Sequence, residues 1–147
     1  MRVERVSIRL NEELTMNQST LTAATQVTGR ALMSAIFILS GIGKIGAYAA
    51  TQGYMESKGV PGVLLPAVIL LELGGGLAVL LGWQTRISAF LLAGFCLLSA
   101  LIFHTNFGDQ MQSILFLKNM AMAGGFLFLV AGGAGAWSLD ARRRTGT

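Results

Sequence analysis

Apolar residues fall into four blocks along this chain, separated by short polar or glycine-containing links. The first runs from about Gly29 to Tyr48, the second from about Val63 to Trp83, the third from about Arg86 to His104 and the fourth from about Ser113 to Ala136. Each holds close to the roughly 20 mainly apolar residues that a helix needs to cross a bilayer. Only helices and closed barrels satisfy their backbone in lipid. The pattern therefore predicts an all-α, integral membrane four-helix bundle. Turns are expected at Gly59-Val60-Pro61-Gly62 and at Trp83-Gln84-Thr85, and Trp137 marks an interface.

Composition agrees with that pattern. Of 147 residues, 53% are hydrophobic and 12% charged, against roughly 25% charged in soluble domains. A single membrane domain over 29–143 is expected, between a polar N-terminal tail (1–28), read as mobile or interfacial, and a short basic C-terminal tail (144–147). Arg2, Glu4, Arg5, Arg9, Glu12 and Glu13 interrupt any signal-peptide apolar region. The first span then acts as an uncleaved anchor, and Met16 is a second candidate start.

Four spans put both termini on one side. Eight arginines (2, 5, 9, 30, 86, 142, 143 and 144) gather there, against three lysines (44, 58 and 118) on the other. The positive-inside rule places both termini in the cytoplasm. The net charge of +4 reads as topology, with no nucleic-acid partner expected. The lone Cys96 excludes an internal disulfide and reads as a small packing residue; no metal site is expected.

Depth assigns candidate chemistry. At about 1.5 Å per residue, Lys44 lies roughly 21 Å above Arg30. Glu72, inside VILLELGGGLAVLL, falls near the midplane or slightly above it. His104 closes the third span, and Lys118 and Asn119 lie about one turn into the fourth. All five fall in the outer half. An ionised carboxylate in lipid calls for protonation or a nearby cation, and Lys44 can extend toward Glu72. Taken singly, Lys44 and Lys118 read as snorkelling residues, His104 as an interface residue, and Glu72 equally as interhelical glue or a working acid. Gly41, Gly75, Gly76, Gly124 and Gly125 are read as helix-packing positions, where small residues let backbones approach.

Arg30 with the following AIFILSGIGKI, Val60-Pro61, LLELGGGLAVLLGWQTR (70–86), Phe103-His104, FLKNMAMAGG (116–125) and GAWSLDARR (135–143) come in an order that resembles the DoxX family of small bacterial membrane proteins. The resemblance covers about residues 29–143. It implies a multi-pass bacterial inner-membrane subunit of the kind associated with thiosulfate:quinone oxidoreductase or with oxidative and sulfur-stress systems. By the same resemblance, Lys44, Glu72, His104, Lys118 and Asn119 occupy recurring polar positions.

The leading expectation is a redox-linked subunit with a quinone or small-molecule pocket in the outer half. Glu72 and His104 would handle protons, and Lys44, Lys118 and Asn119 would hydrogen-bond a carbonyl oxygen. One histidine and one cysteine are too few for bis-histidine haem or a four-cysteine iron–sulfur cluster. Electron transfer would thus need a bound quinone, a flavin or a partner, and no covalently bound cofactor is expected. The partners to weigh are the lipid bilayer, soluble redox or sulfur-transfer proteins, and a second copy of the chain in a homo-oligomer. Two alternatives stand beside this one: a non-catalytic anchor or assembly factor for soluble redox enzymes, and a dimeric proton-coupled transporter. The lysines beside Glu72 weigh against transport of cationic drugs.

Overall fold

The first helix begins far upstream of the first apolar block. The computed structural model describes residues 2–145, with side chains for 13–143 and Thr145. Among the described residues there is no strand. The helices are α1 (Arg2–Gly46), α2 (Tyr48–Ser57), α3 (Leu65–Leu81), α4 (Thr85–Phe103), α5 (Gln110–Gly132) and α6 (Leu139–Thr145), with a 3-10 turn at Gly62–Leu64 before α3. Four segments are long and apolar enough to cross a membrane: Glu13–Gly46, Gly62–Leu81, Thr85–Phe103 and Gln110–Gly132. The all-α, four-span architecture is the one the sequence pattern predicts.

The expected boundaries differ at both ends. A span placed at Gly29 is part of a helix of 45 residues, about 68 Å long and twice the roughly 30 Å hydrocarbon core. Extending a helix already nucleated by its apolar half costs little per residue. The Thr20, Thr22 and Thr25 hydroxyls donate to carbonyls four residues back rather than competing with the helix. At the other end α5 stops at Gly132, short of Ala136, because Gly133 and Gly135 take φ of 75° and 83°. The side chains of Arg2, Arg5, Arg9 and Arg144, and most of the expected tail at 144–147, lie outside the described residues.

Lipid tails give apolar helices no hydrophobic reason to associate, so close packing must hold the bundle. α1 packs on α3, α3 on α4 and α4 on α5. The ring closes through Phe37 and Phe126, edge to face at 5.2 Å. Four of the five expected packing glycines lie at crossings. A Cβ on Gly41 would meet Leu73, one on Gly76 would meet Ile38 and Phe37, one on Gly75 would meet Leu92, and one on Gly125 would meet Met33. Gly124 is the exception, with open space where its Cβ would lie. Gly41→Leu should therefore destabilise the bundle by about 1–3 kcal/mol through overpacking. Gly124→Ala should be neutral or stabilising by up to about 1 kcal/mol through helix propensity. Thermal unfolding of both variants in one detergent checks the contrast.

The links fix the register. Gly82, at φ 68°, ends α3 and Gln84, at φ 47°, begins α4, so the two spans turn within three residues. Gln84 supplies no side-chain cap. The N-terminus of α4 is instead capped by Asp140 of α6, whose Oδ1 and Oδ2 accept from the Gln84 and Thr85 N–H groups at 2.8 and 2.9 Å. At the facing end of α3, Arg30 is only 2% exposed. It donates to the carbonyls of Leu80 at 3.2 Å and Trp137 at 2.5 Å. A cation thus meets a helix C-terminus and an anion a helix N-terminus, as the macrodipoles favour. Arg30, counted in the sequence for its charge, is thus also a buried tie between α1, α3 and the C-terminal segment.

Burial alone would raise the Asp140 carboxyl, but the hydrogen bonds from Thr85 and Gln84 and the charge of Arg143 outweigh it and hold it below the ordinary value of 3.8. Folding therefore favours its ionised form. Its contribution is fully present above pH 3.8 and is lost as pH falls through the lower folded value. Asp140→Asn should flatten the acid limb of a plot of unfolding temperature against pH while leaving its neutral region sloped as before.

Candidate functional site

Gly41 is where the site begins. With no side chain there, α1 and α3 approach closely enough that a Cβ on Gly41 would lie 3.4 Å from Cβ of Glu72. That contact holds Glu72, 3% exposed, against the face of α1 that carries Ser40 and Lys44. Positions i and i+4 share a helix face. Lys44 Nζ donates to Ser40 Oγ at 2.7 Å and to Glu72 Oε1 at 2.9 Å. Ser40 Oγ donates to the same Oε1 at 3.2 Å. This is the one salt bridge among the described residues.

The three groups do not exhaust one another. Glu72 Oε2 is buried and has no partner. An ammonium has three donors, two of Lys44's are used, and its side chain keeps 23% exposure. The centre therefore offers an acceptor inside the bundle and a donor at its edge. A buried oxygen left without a hydrogen bond costs roughly 1–3 kcal/mol, more when charged, and Oε2 is the oxygen of this cluster with bonding capacity to spare.

The other expected site residues do not join this cluster. His104 ends α4, and its Nδ1 pairs with Gln112 Oε1 of α5 at 2.8 Å. Asn119 Nδ2 donates to the Leu115 carbonyl of its own helix at 2.9 Å. Lys118 lies on an exposed face of α5, outside the Lys44–Glu72 salt bridge. Two partners went unnoticed in the sequence. Ser40 was detectable, being one turn before Lys44 on the same face; Gln112 was detectable only as a polar residue early in the fourth span. Cys96 packs in the core beside Leu92, Ala93, Phe37 and Phe126. Three grooves open at the Arg30 end of the molecule, and none of them is lined by Glu72. The polar centre has Glu72 buried and Lys44 as its more exposed member, at 23%.

The sequence model of the DoxX family matches residues 25–105. The chain is 54% identical over 114 residues to the inner membrane protein YqjF of Escherichia coli (strain K12), covering 78% of this chain and 88% of that protein. It is 38% identical over 114 residues to the inner membrane protein YphA of the same organism, covering 73% of this chain and 81% of that one. No solved structure matches it significantly.

Proposed function

The chain belongs to the DoxX family, and from that premise we propose that it is a redox-linked subunit of a bacterial inner membrane. Its Ser40–Lys44–Glu72 centre binds a quinone or a similar small molecule, and both termini face the cytoplasm. The observation that carries this reading is the vacant, buried Glu72 Oε2 next to a lysine with a donor to spare. A hydroquinone presents an O–H that Oε2 can accept, and a quinone presents a carbonyl that Lys44 can donate to. Bound there, a quinone would supply two-electron, two-proton redox chemistry.

Each residue has a separate duty. Glu72 is the acceptor and the group that holds or releases a proton at Oε2. Lys44 keeps a carboxylate tolerable in lipid, where an isolated charge is costly. Ser40 fixes Oε1 so that Oε2 is the oxygen left to the ligand. His104 and Gln112, paired at the mouth of α4 and α5, stand as the route for protons at the exposed end. Binding of ubiquinol and menaquinol analogues to the purified chain tests the proposal. Glu72→Gln should weaken binding at least tenfold, because one good hydrogen bond to a charged group contributes about 1.5–3 kcal/mol. Undiminished binding would refute it.

The anchor reading draws on a different feature. Residues 13–22 of α1 are exposed, mostly polar and helical beyond the buried Arg30, with Leu14, Met16 and Leu21 exposed among them, and so form a handle for a soluble redox or sulfur-transfer protein. Deleting residues 1–22 should then abolish co-purification of a stoichiometric partner without altering quinol binding. Retention of the partner would dismiss that reading.

A further inference from the structure

The outer surface of α3 carries a groove of about 620 Å³ at the Arg30 end. Its floor is Gly74, Leu77 and Leu81, and its mouth is Trp83, Arg142 and Arg143. Gly74 opens onto the slot: a Cβ there would meet only Leu70 Cδ1, at 4.0 Å. Leu77 and Leu81 are 46% and 55% exposed, on a helix apolar enough to face lipid. The rise of α3 from Gly74 to Leu81 gives the slot a length of roughly 10 Å.

The mouth has the opposite chemistry. The Arg143 guanidinium stands 6.0 Å from the Trp83 ring centroid, within cation–π range, and that ring also marks the headgroup level. Neither Arg142 nor Arg143 is in a salt bridge among the described residues. The nearby carboxylate, Asp140, attracts Arg143, but its two oxygens are engaged by the Gln84 and Thr85 N–H groups.

An apolar slot at membrane depth that opens under two unpaired guanidiniums fits one kind of occupant. We infer that this groove is a binding site for an anionic phospholipid, with one acyl chain along Gly74, Leu77 and Leu81 and the phosphate on Arg142 and Arg143. A zwitterionic lipid would bring its own cation against the arginines, and a free anion would leave the slot unused. Basic pockets beside membrane helices take acidic headgroups for the same electrostatic reason. The groove runs from Gly74, two residues beyond Glu72, toward the Trp83 end of α3, and it rests on these observations and not on the quinone reading.

Native mass spectrometry of the detergent-purified full chain tests this with added phosphatidylglycerol and phosphatidylcholine. Each arginine near an anionic headgroup contributes about fivefold, so phosphatidylglycerol should bind roughly 25-fold more tightly than phosphatidylcholine. Arg142→Gln/Arg143→Gln should erase that preference. Gly74→Leu, which fills the slot from an open position, should weaken both lipids several-fold. Excess inorganic phosphate should not displace the lipid. Equal binding of the two lipids, a preference untouched by the double substitution, or displacement by phosphate alone would each overturn the inference.

Discussion

Lys44→Met should destabilise the bundle by about 3 kcal/mol, measured by reversible unfolding in mixed micelles. Removing one partner of a buried ion pair typically costs about 3–5 kcal/mol, because the other charge is left uncompensated. The 23% exposure of the Lys44 side chain lets water offset part of that, which puts the effect at the lower end. The loss should belong to the orphaned carboxylate rather than to the missing lysine. Lys44→Met/Glu72→Leu should therefore recover most of the stability, since apolar replacements for a buried pair are often neutral or better. An unchanged single variant would mean that Glu72 is held by something other than Lys44.

Gly82→Ala is the second large effect, and it acts at the other end of the molecule. At φ 68° an L-residue is strained, at a cost of about 1–2 kcal/mol. The added Cβ would also run into the Arg30 Nη1 group and Cβ of Ser138, displacing the guanidinium from the carbonyls of Leu80 and Trp137. Overpacking adds about 1–3 kcal/mol, so the total is roughly 2–5 kcal/mol. Gly59→Ala separates the two contributions. Its φ is 77°, a Cβ there would meet no atom within 4 Å, and its N–H and that of Val60 close the end of α2 on Glu56 and Met55 as in a left-handed cap. It should show the strain alone, about 1–2 kcal/mol. Equal losses in the two variants, by thermal unfolding, would remove the packing role of Arg30.

These two sites show what the sequence made legible. Apolar block length was enough for four spans, and rise per residue with the length of a lysine stem was enough to bring Lys44 within reach of Glu72. Depth is one coordinate, however, and azimuth is another. By height Lys118 and Asn119 are expected in the same half as Glu72, yet Lys118 is exposed and Asn119 folds back on Leu115. Only the order in which helices pack decides which residues at one height meet. The glycines carried some of that information: Gly41 marks the crossing that seats Glu72, whereas Gly124 marks none. Arg30 was read for its charge and not its burial, because its partners are backbone carbonyls 50 and 107 residues away. Asp140 was missed for the related reason that α4 lacks a cap of its own. That the helix of the first span extends back to Arg2 was not legible, because composition reports what a segment can bury, not whether a neighbouring helix will continue through it.

Ser40, Lys44 and Glu72 together form a polar cluster with one unpartnered carboxylate oxygen, and the ligand binding proposed above rests on that oxygen. Infrared difference spectroscopy on the lipid-reconstituted full chain, with and without a hydroquinone analogue, tests that role most directly. If Glu72 Oε2 receives the ligand, its carboxyl stretch should shift on addition of the analogue, and the shift should vanish in Glu72→Gln and change in Ser40→Ala. A difference spectrum with no carboxyl band, or one that survives Glu72→Gln, would contradict a ligand at Glu72.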